Sequence, residues 1–183
     1  MVPLQSLRKM VLASLMAALT AVGAYLYVPV GPVPIVLTTL FVLLAGLLLG
    51  SRWGVASILL YLLVGAMGFP VFAGGRGGIA HFLGPTGGYL LGYAFASLIT
   101  GFISEHGRGL LSLEVVAVLF GTLVIYAFGV PWLKVVSQIS WSKAWMVGAL
   151  PFLPGDTIKA TVALGLARSV RPILIRHQQS ISL

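Results

Sequence analysis

The chain has 183 residues, of which 59% are hydrophobic and 8% charged, and its mean hydropathy is +1.08. Soluble domains carry roughly a quarter charged residues, so this composition excludes an ordinary soluble domain and indicates a protein of the lipid bilayer. The formal charge of +8 does not indicate nucleic-acid binding, because the basic residues lie at the ends of apolar segments and form no continuous basic face. The absence of cysteine excludes disulfides and thiolate metal sites.

Six apolar segments predict an all-α integral membrane protein with a single domain over residues 1–183. A helix needs about 17–25 apolar residues to cross a bilayer, and shorter helices are allowed inside a bundle. The predicted spans cover residues 7–27, 36–49, 53–66, 85–103, 110–128 and 155–170. The first span is interpreted as a retained helix, since its apolar run is too long for a signal peptide and has no clean cleavage site. The short connection at residues 50–52 predicts an antiparallel hairpin of the second and third spans.

Basic residues favour an orientation with both termini in the cytoplasm. With six spans, the cytoplasmic side carries Arg8, Lys9, Arg52, Arg108, Arg168, Arg171 and Arg176. The opposite side carries Arg76, Lys134, Lys143 and Lys159. Three tryptophans, Trp132, Trp141 and Trp145, precede the sixth span, which predicts an outer aromatic belt and an interfacial helix at about residues 133–148.

The strongest functional signal is a carboxylate and an ammonium embedded in an apolar region at the start of the sixth span. Asp156 and Lys159 lie one helical turn apart, and Asp156 is one of three acidic residues in the chain. Charged side chains inside a membrane are costly and are typical of functional sites. The structural alternative is an N-cap aspartate with Lys159 as its i+3 partner. We favour a binding role, because a lysine in the first turn opposes the helix dipole.

A glycine-rich segment before the fourth span is the second candidate region. Gly74, Gly75 and five further glycines lie between positions 74 and 88, mixed with apolar residues. Irregular backbone at membrane depth occurs where it is buried or lines a cavity, so we expect this segment to line a polar site; the alternative is a surface loop without a ligand. Arg76 is either a bidentate carboxylate anchor or an exposed solubilising charge. His81 is interpreted as a loop or interfacial histidine, since no other residue at metal-ligand spacing indicates a metal site.

Small residues at four-residue spacing favour close approach of helices, either within the fold or against a partner. The three sets are Ala13, Ala17 and Ala21; Gly46, Gly50 and Gly54; and Gly88, Gly92 and Ala96. No G-x-x-x-x-G-K-[ST] phosphate loop occurs, which excludes nucleotide hydrolysis by that route.

Six segments in this order resemble the BioY family, the biotin-specific substrate-binding (S) components of energy-coupling factor (ECF) transporters. The resemblance covers about residues 7–171. The segments are AALTAVGA at 17–24, PVPI at 32–35, TLFVLLAG at 39–46, GFPVFAGG at 68–75, GPTGGY at 84–89, and LPFLPGD at 150–156 followed by Lys159.

The resemblance implies a six-helix membrane fold with a biotin site near the extracellular side. It implies biotin binding and uptake across the cytoplasmic membrane of a bacterium or archaeon, without enzyme activity or a cofactor. The implied partners are biotin, the lipid bilayer, a transmembrane coupling subunit and two ATPase subunits that consume ATP. Ala13 and Ala17, with Ala21 one turn further, are implied to dock the coupling subunit.

The resemblance also implies that Asp156 and Lys159 contact the vitamin. We expect Asp156 to accept a hydrogen bond from a ureido N–H, and Lys159 to donate to the ureido oxygen or to a nearby polar group. The expected walls are the backbone of residues 74–78 and the side chains of Thr38, Phe41, Phe72 and Tyr89. Thr38 stands where the family often has glutamine, and Arg76 where it often has a small or amide residue. The alternatives are an S component for another small vitamin, a membrane enzyme with Asp156 as general base, and a structural subunit.

Overall fold

The computed structural model describes residues 4–107 and 109–179, and the side chains of residues 6–107 and 109–174. Arg108 and the side chain of Arg176, two of the basic residues counted above, lie outside the described residues. The helices are α1 Leu4–Tyr25, α2 Thr38–Ala66, α3 Ala80–Leu83, α4 Gly87–His106, α5 Leu111–Ser137, α6 Trp141–Gly148 and α7 Leu153–Gln179. Two short antiparallel strands, β1 Tyr27–Val28 and β2 Ile35–Val36, flank the proline-rich turn.

The apolar runs of the sequence form long helices, as their composition requires in a bilayer. Among the described residues, four helices are long and apolar enough to cross a membrane. They are Ser6–Tyr25 within α1, Thr38–Ala66, Gly87–His106 and Leu111–Ser137. α7 has 27 residues and is therefore about 40 Å long, but charged side chains lie near both of its ends.

The second and third predicted spans form one helical segment, α2, which folds back on itself at Gly50. Gly50 has φ 76° and ψ −173°, a region that is essentially limited to glycine. A Cβ atom built on Gly54 would lie 3.0 Å from the backbone oxygen of Ala45 and 3.1 Å from the Cα atom of Gly46. Residues eight positions apart in a continuous helix are about 12 Å apart, so the two halves of α2 lie side by side. The turn is tighter than the predicted connection, because residues 51 and 52 are already helical.

The second half of α2 begins with a side-chain cap supplied by α4. Glu105 accepts hydrogen bonds from the backbone N–H of Ser51 at 3.1 Å and from its hydroxyl at 2.8 Å. A carboxylate at this position satisfies a free N–H and also complements the positive end of the helix dipole. Glu105 therefore stabilises the fold-back at Gly50.

Glycines allow α4 to pack closely against both α2 and α5. A Cβ atom on Gly46 would lie 2.7 Å from the backbone oxygen of Ser97 on α4, and one on Gly92 would lie 3.1 Å from the Cα atom of Ile125 on α5. Neither position has room for a larger residue. These two predicted small-residue sets thus lie at helix contacts within the fold.

The predicted interfacial helix at residues 133–148 is not one helix, which corrects the sequence-based expectation. α5 continues through Pro131 to Ser137 and ends where Gln138 adopts the left-handed region with φ 51°. A proline inside a membrane helix removes one backbone hydrogen bond, and contacts with neighbouring helices compensate for this loss. A separate helix, α6, begins after Ser140, whose hydroxyl accepts a hydrogen bond from the N–H of Lys143 at 3.3 Å.

A cluster of charged residues joins α7 to α5 and α2. We call Glu114, Arg168 and Arg171 the Glu114 cluster. The carboxylate of Glu114 is fully buried; it accepts from Nε of Arg168 at 3.1 Å and from Nη1 of Arg171. Arg171 also donates to the backbone oxygen of Leu47 at 2.8 Å. A buried carboxylate needs such partners to offset its desolvation, so the cluster fixes this end of α7.

Candidate ligand-binding site

Asp156 and Lys159 form a buried ion pair in the first turn of α7. Their exposed fractions are 8% and 7%, and Nζ of Lys159 lies 2.8 Å from Oδ1 of Asp156. The other carboxylate oxygen accepts a hydrogen bond from the hydroxyl of Tyr126 on α5. α7 begins at Leu153, and the backbone N–H of Asp156 already donates to Phe152 at 2.8 Å. Asp156 therefore lies inside the first turn, and its carboxylate accepts from the side chains of Tyr126 and Lys159 instead of capping backbone N–H groups. This contradicts the N-cap alternative.

Three cavities lie between the proline-rich turn, the glycine-rich segment and α7. The outer cavity has a volume of about 490 Å³ and is lined by residues that include Tyr27, Gly74, Arg76, Gly77, His81 and Thr86. The middle cavity, about 30 Å³, is lined by residues that include Thr38, Tyr61, Phe72, His81, Thr86 and Tyr93. The inner cavity, also about 30 Å³, is lined by residues that include Thr39, Tyr89, Tyr93, Tyr126, Asp156 and Lys159.

The three cavities lie next to one another, because neighbouring cavities share lining residues; we call this series of cavities the path. The outer and middle cavities share Pro34, Ala73, His81 and Thr86. The middle and inner cavities share Val33, Pro34, Val36, Tyr89 and Tyr93. Pro34 lines all three, so the turn between β1 and β2 borders the whole series from the large outer cavity to the cavity that holds the ion pair.

Buried hydroxyl groups without partners mark the inner part of the path. Within the described residues, Oγ1 of Thr38 and Oγ1 of Thr39 are buried and have no hydrogen-bond partner; the hydroxyl of Thr38 faces Tyr61 without reaching hydrogen-bond geometry. Buried polar groups in proteins are nearly always hydrogen-bonded, so an unpaired hydroxyl that lines a cavity indicates a site for a polar ligand atom. The site combines a carboxylate, an ammonium and free hydroxyls within apolar and aromatic walls, as small-molecule sites do.

Most of the predicted site residues line this path. Asp156 and Lys159 line the inner cavity, Thr38 and Phe72 the middle one, and Gly74 and Arg76 the outer one.

Tyr89 lines the middle and inner cavities with its ring, because its hydroxyl donates to the backbone oxygen of Gly148 at 2.8 Å. Phe41 and Gly75, which were also predicted to form the site, do not line any of these three cavities. The ring of Phe41 points towards Gly23 on α1, where an added Cβ atom would lie 2.8 Å from Cδ2 of the ring. A Cβ atom on Gly75 would face Tyr25.

The alanine set of α1 is placed differently from the prediction. Ala13 and Ala17 are buried within the chain, with exposed fractions of 5% and 7%, and Ala21 is half-buried. The two small residues that α1 exposes are their neighbours Ser14 and Ala18. Ala13 and Ala17 therefore pack inside the fold, and the adjacent face of the helix is exposed.

His81, interpreted above as a loop or interfacial residue, lines both the outer and the middle cavity. Its ring stacks on the ring of Phe72 with a centroid separation of 5.2 Å and an interplanar angle of 16°. Its Nε2 atom lies 3.2 Å from Oγ1 of Thr86. Burial, and then the charge of Arg76, lower the pKa of His81 from its usual value, so its ring is neutral at pH 7.

Sequence reasoning also missed Tyr126, Tyr93, Tyr61 and Thr39. All four lie within long apolar helices, and no local pattern separates a tyrosine that faces a cavity from one that faces lipid. The adjacent pair Thr38 and Thr39 at the start of α2 could have indicated Thr39 as well as Thr38. Two neighbouring hydroxyls in an apolar run are costly to bury unless they find hydrogen-bond partners.

The helices and the buried charged site together define a multi-pass membrane protein with an internal binding site for a small polar molecule. The sequence matches the BioY family over residues 1–176. The chain belongs to the BioY family, as its six sequence segments had indicated.

Relatives from both archaea and bacteria match nearly the whole chain. The "Probable biotin transporter BioY" of Pyrococcus horikoshii is 45% identical over 160 residues, which cover 87% of this chain and 94% of the relative. The "Biotin transporter BioY" of Rhizobium etli is 43% identical over 176 residues, covering 90% and 94% of the two chains. The crystal structure of the S-component for biotin from an ECF-type ABC transporter superposes with a TM-score of 0.88 at 32% identity, covering 94% of this chain and 95% of that one.

Proposed function

We propose that the chain binds biotin and takes it up across the cytoplasmic membrane as the substrate-binding subunit of an ECF-type ABC transporter. It is a transport protein and not an enzyme. The observation that carries the proposal is the buried Asp156–Lys159 pair beside the innermost of three adjacent cavities in a member of the BioY family. Biotin as the ligand is supported by the relatives, which are named biotin transporters, and by the matching crystal structure, which is that of an S-component for biotin.

The chemistry of the inner cavity suits the ureido ring of biotin. That ring offers two N–H donors and one carbonyl acceptor. The carboxylate of Asp156 accepts from an N–H group, and the ammonium of Lys159 donates to the carbonyl oxygen or a nearby polar group. The rings of Tyr89 and Tyr93 supply apolar walls for the bicyclic ring, and Tyr126 holds the carboxylate of Asp156 in place.

The rest of biotin then extends through the middle cavity towards the outer one. Its apolar chain passes Phe72, while the free hydroxyl of Thr38 offers a polar contact beside it. Its carboxylate reaches the outer cavity, where the guanidinium of Arg76 can bind it through two parallel hydrogen bonds. The glycine backbone at Gly74 lets the chain approach the ligand closely.

We propose that the fold crosses the membrane six times, through α1, the two halves of α2, α4, α5 and α7. Both termini then face the cytoplasm, and the ligand site opens to the outside. The length of α7 supports this arrangement: its 27 residues span about 40 Å, enough to cross a hydrocarbon core of about 30 Å, and Asp156 and Arg171 lie about 22 Å apart along it. The excess of basic residues on the side of the Glu114 cluster also supports it.

The partners that we propose are a transmembrane coupling subunit and two ATPase subunits, which consume the ATP; the chain itself uses no cofactor. Docking of the coupling subunit on α1 would use the exposed small residues Ser14 and Ala18. Small side chains let two membrane helices approach closely.

Equilibrium binding of labelled biotin to the purified full chain in lipid nanodiscs tests the proposal. We expect saturable binding in the absence of ATP, with recovery of chemically unchanged biotin. An absence of saturable binding would refute biotin as the ligand, and a chemically altered ligand would favour a membrane enzyme instead.

A further inference from the structure

His81 occupies the junction between the outer and middle cavities. The four residues that line both cavities are Pro34, Ala73, His81 and Thr86. Of these, His81 alone can change its charge near neutral pH. A ligand that extends from the ion pair to the outer cavity passes this side chain.

The imidazole of His81 is held in a fixed orientation. Its face stacks on Phe72, which is fully buried, and its Nε2 atom lies 3.2 Å from the hydroxyl of Thr86. Within the described part of the chain, its Nδ1 atom has no hydrogen-bond partner. One ring nitrogen therefore supports the orientation of the ring, and the other is available to a ligand.

The surroundings of His81 lack a counter-ion for a charged imidazole. The titratable and charged groups that line the outer and middle cavities are Arg76 on the glycine-rich segment, Tyr27 on β1, Tyr61 on α2, and Tyr89 and Tyr93 on α4. The described residues that line the outer and middle cavities include no carboxylate. Asp156 lines the inner cavity instead and is already paired with Lys159. The nearest formal charge is thus the cation of Arg76, which disfavours protonation of the ring.

We propose that His81 contacts the anionic end of the ligand together with Arg76, and that it takes up a proton from solvent when the anion binds. This inference rests on the proposed function, because biotin supplies the carboxylate. An anion beside the ring introduces the missing opposite charge and favours the imidazolium. The two cations and the anion then form a compact, partly buried group whose net charge is lower than that of two cations alone.

The sign of the pH dependence follows from linkage. The free protein holds His81 neutral, and the complex favours the charged form, so the complex binds more protons than the free protein does. Binding must therefore tighten as the pH falls towards the range in which the ring titrates in the complex. The carboxyl group of biotin, which resembles an ordinary aliphatic carboxyl, stays ionised over this range.

Calorimetry of biotin binding to the full chain, in pairs of buffers with different ionisation enthalpies, measures the uptake directly. At about pH 6–7 we expect the wild-type chain to take up a fraction of a proton with biotin and none with biotinamide, its uncharged analogue. The biotinamide comparison uses the wild-type chain and so does not depend on the folding of any variant. We expect the dissociation constant for biotin to fall severalfold between about pH 8 and about pH 6.

The variant His81→Gln removes the titrating group and keeps a hydrogen-bonding side chain. We expect it to bind biotin without proton uptake and with a flatter pH profile. Saturable biotin binding without proton uptake in the wild type, or uptake that persists in His81→Gln, would overturn the role of His81 and leave the proposed function intact. A failure of the wild type to bind biotin at any pH would instead overturn the proposed function, and this inference with it.

Discussion

Replacing Asp156 by asparagine tests the central interaction of the proposed site. The change keeps the size of the side chain and its ability to accept from Tyr126, but it removes the negative charge. Asparagine has a single acceptor oxygen, which faces Tyr126, so its NH2 group meets the ureido N–H and the whole contact to the charged acceptor, worth about 1.5–3 kcal/mol, is lost. Since 1.4 kcal/mol corresponds to a factor of ten, losing the charge-assisted contact to a ureido N–H weakens biotin binding by roughly 10- to 100-fold.

The same change leaves the ammonium of Lys159 buried without its partner. Breaking a buried ion pair by removing one member costs on the order of 3–5 kcal/mol, so the free protein is destabilised as well. The double variant Asp156→Asn/Lys159→Met removes both charges. We expect it to recover stability but not affinity, which separates the two effects.

Tyr126→Phe is the matched control, because it removes the second partner of the carboxylate and leaves the charge in place. The loss of one hydroxyl donor is worth about 1 kcal/mol, or roughly a fivefold change in the dissociation constant. Calorimetric titration of biotin into the three purified variants and the wild type gives all four constants. The reasoning fails if Asp156→Asn binds within about threefold of the wild type, or if Tyr126→Phe weakens binding more than Asp156→Asn does.

Three further predictions concern the rest of the structure. Thr38→Val removes a buried hydroxyl that lacks a partner. We expect an unchanged or higher thermal unfolding midpoint without ligand, together with several-fold weaker biotin binding. A lower midpoint would show that the hydroxyl is hydrogen-bonded in the free protein. Gly50→Ala places a side chain next to Glu105 at a position whose backbone conformation is essentially limited to glycine. We expect the free energy of unfolding to fall by about 1–3 kcal/mol. An unchanged thermal unfolding midpoint would contradict the fold-back at Gly50. Glu114→Ala should destabilise the chain by up to about 3 kcal/mol, less than for a fully buried pair, because the side chain of Arg168 is 45% exposed. Lys9→Ala, at an exposed charged position on α1, serves as the comparison and should change the midpoint little.

The ion pair could be predicted from the sequence because its signal is local. Asp156 and Lys159 are charged residues at helical spacing in an apolar segment, and such residues are rare enough in membrane segments to be noticed without knowledge of their neighbours. The proline-rich and glycine-rich segments were equally visible, since backbone that cannot be helical has to be accommodated somewhere in the membrane.

Residues whose role depends on the direction of a helix face could not be predicted in the same way. Phe41 and Tyr126 both lie in uniformly apolar helices, and only the packing of those helices decides that Tyr126 meets the carboxylate while Phe41 contacts α1. Ala13 and Ala17 illustrate the same limit: their spacing indicated a close contact correctly, but not whether the contact lies inside the chain or against a partner. The end of α5 was missed because Pro131 does not interrupt that helix.

The contacts between α5 and α7 have a consequence for motion. Glu114 binds Arg168 near one end of the two helices, and Tyr126 binds Asp156 twelve positions further along α5 and twelve positions earlier on α7. The helices are therefore antiparallel and attached at two points about 18 Å apart, which prevents α7 from sliding along α5. A carboxylate can accept several hydrogen bonds, so a ligand N–H that donates to Asp156 adds a contact at one attachment and leaves the other unchanged. We therefore expect occupancy of the site to stiffen the pair of helices α5 and α7 at the end that carries Asp156, so that ligand binding reduces their relative motion.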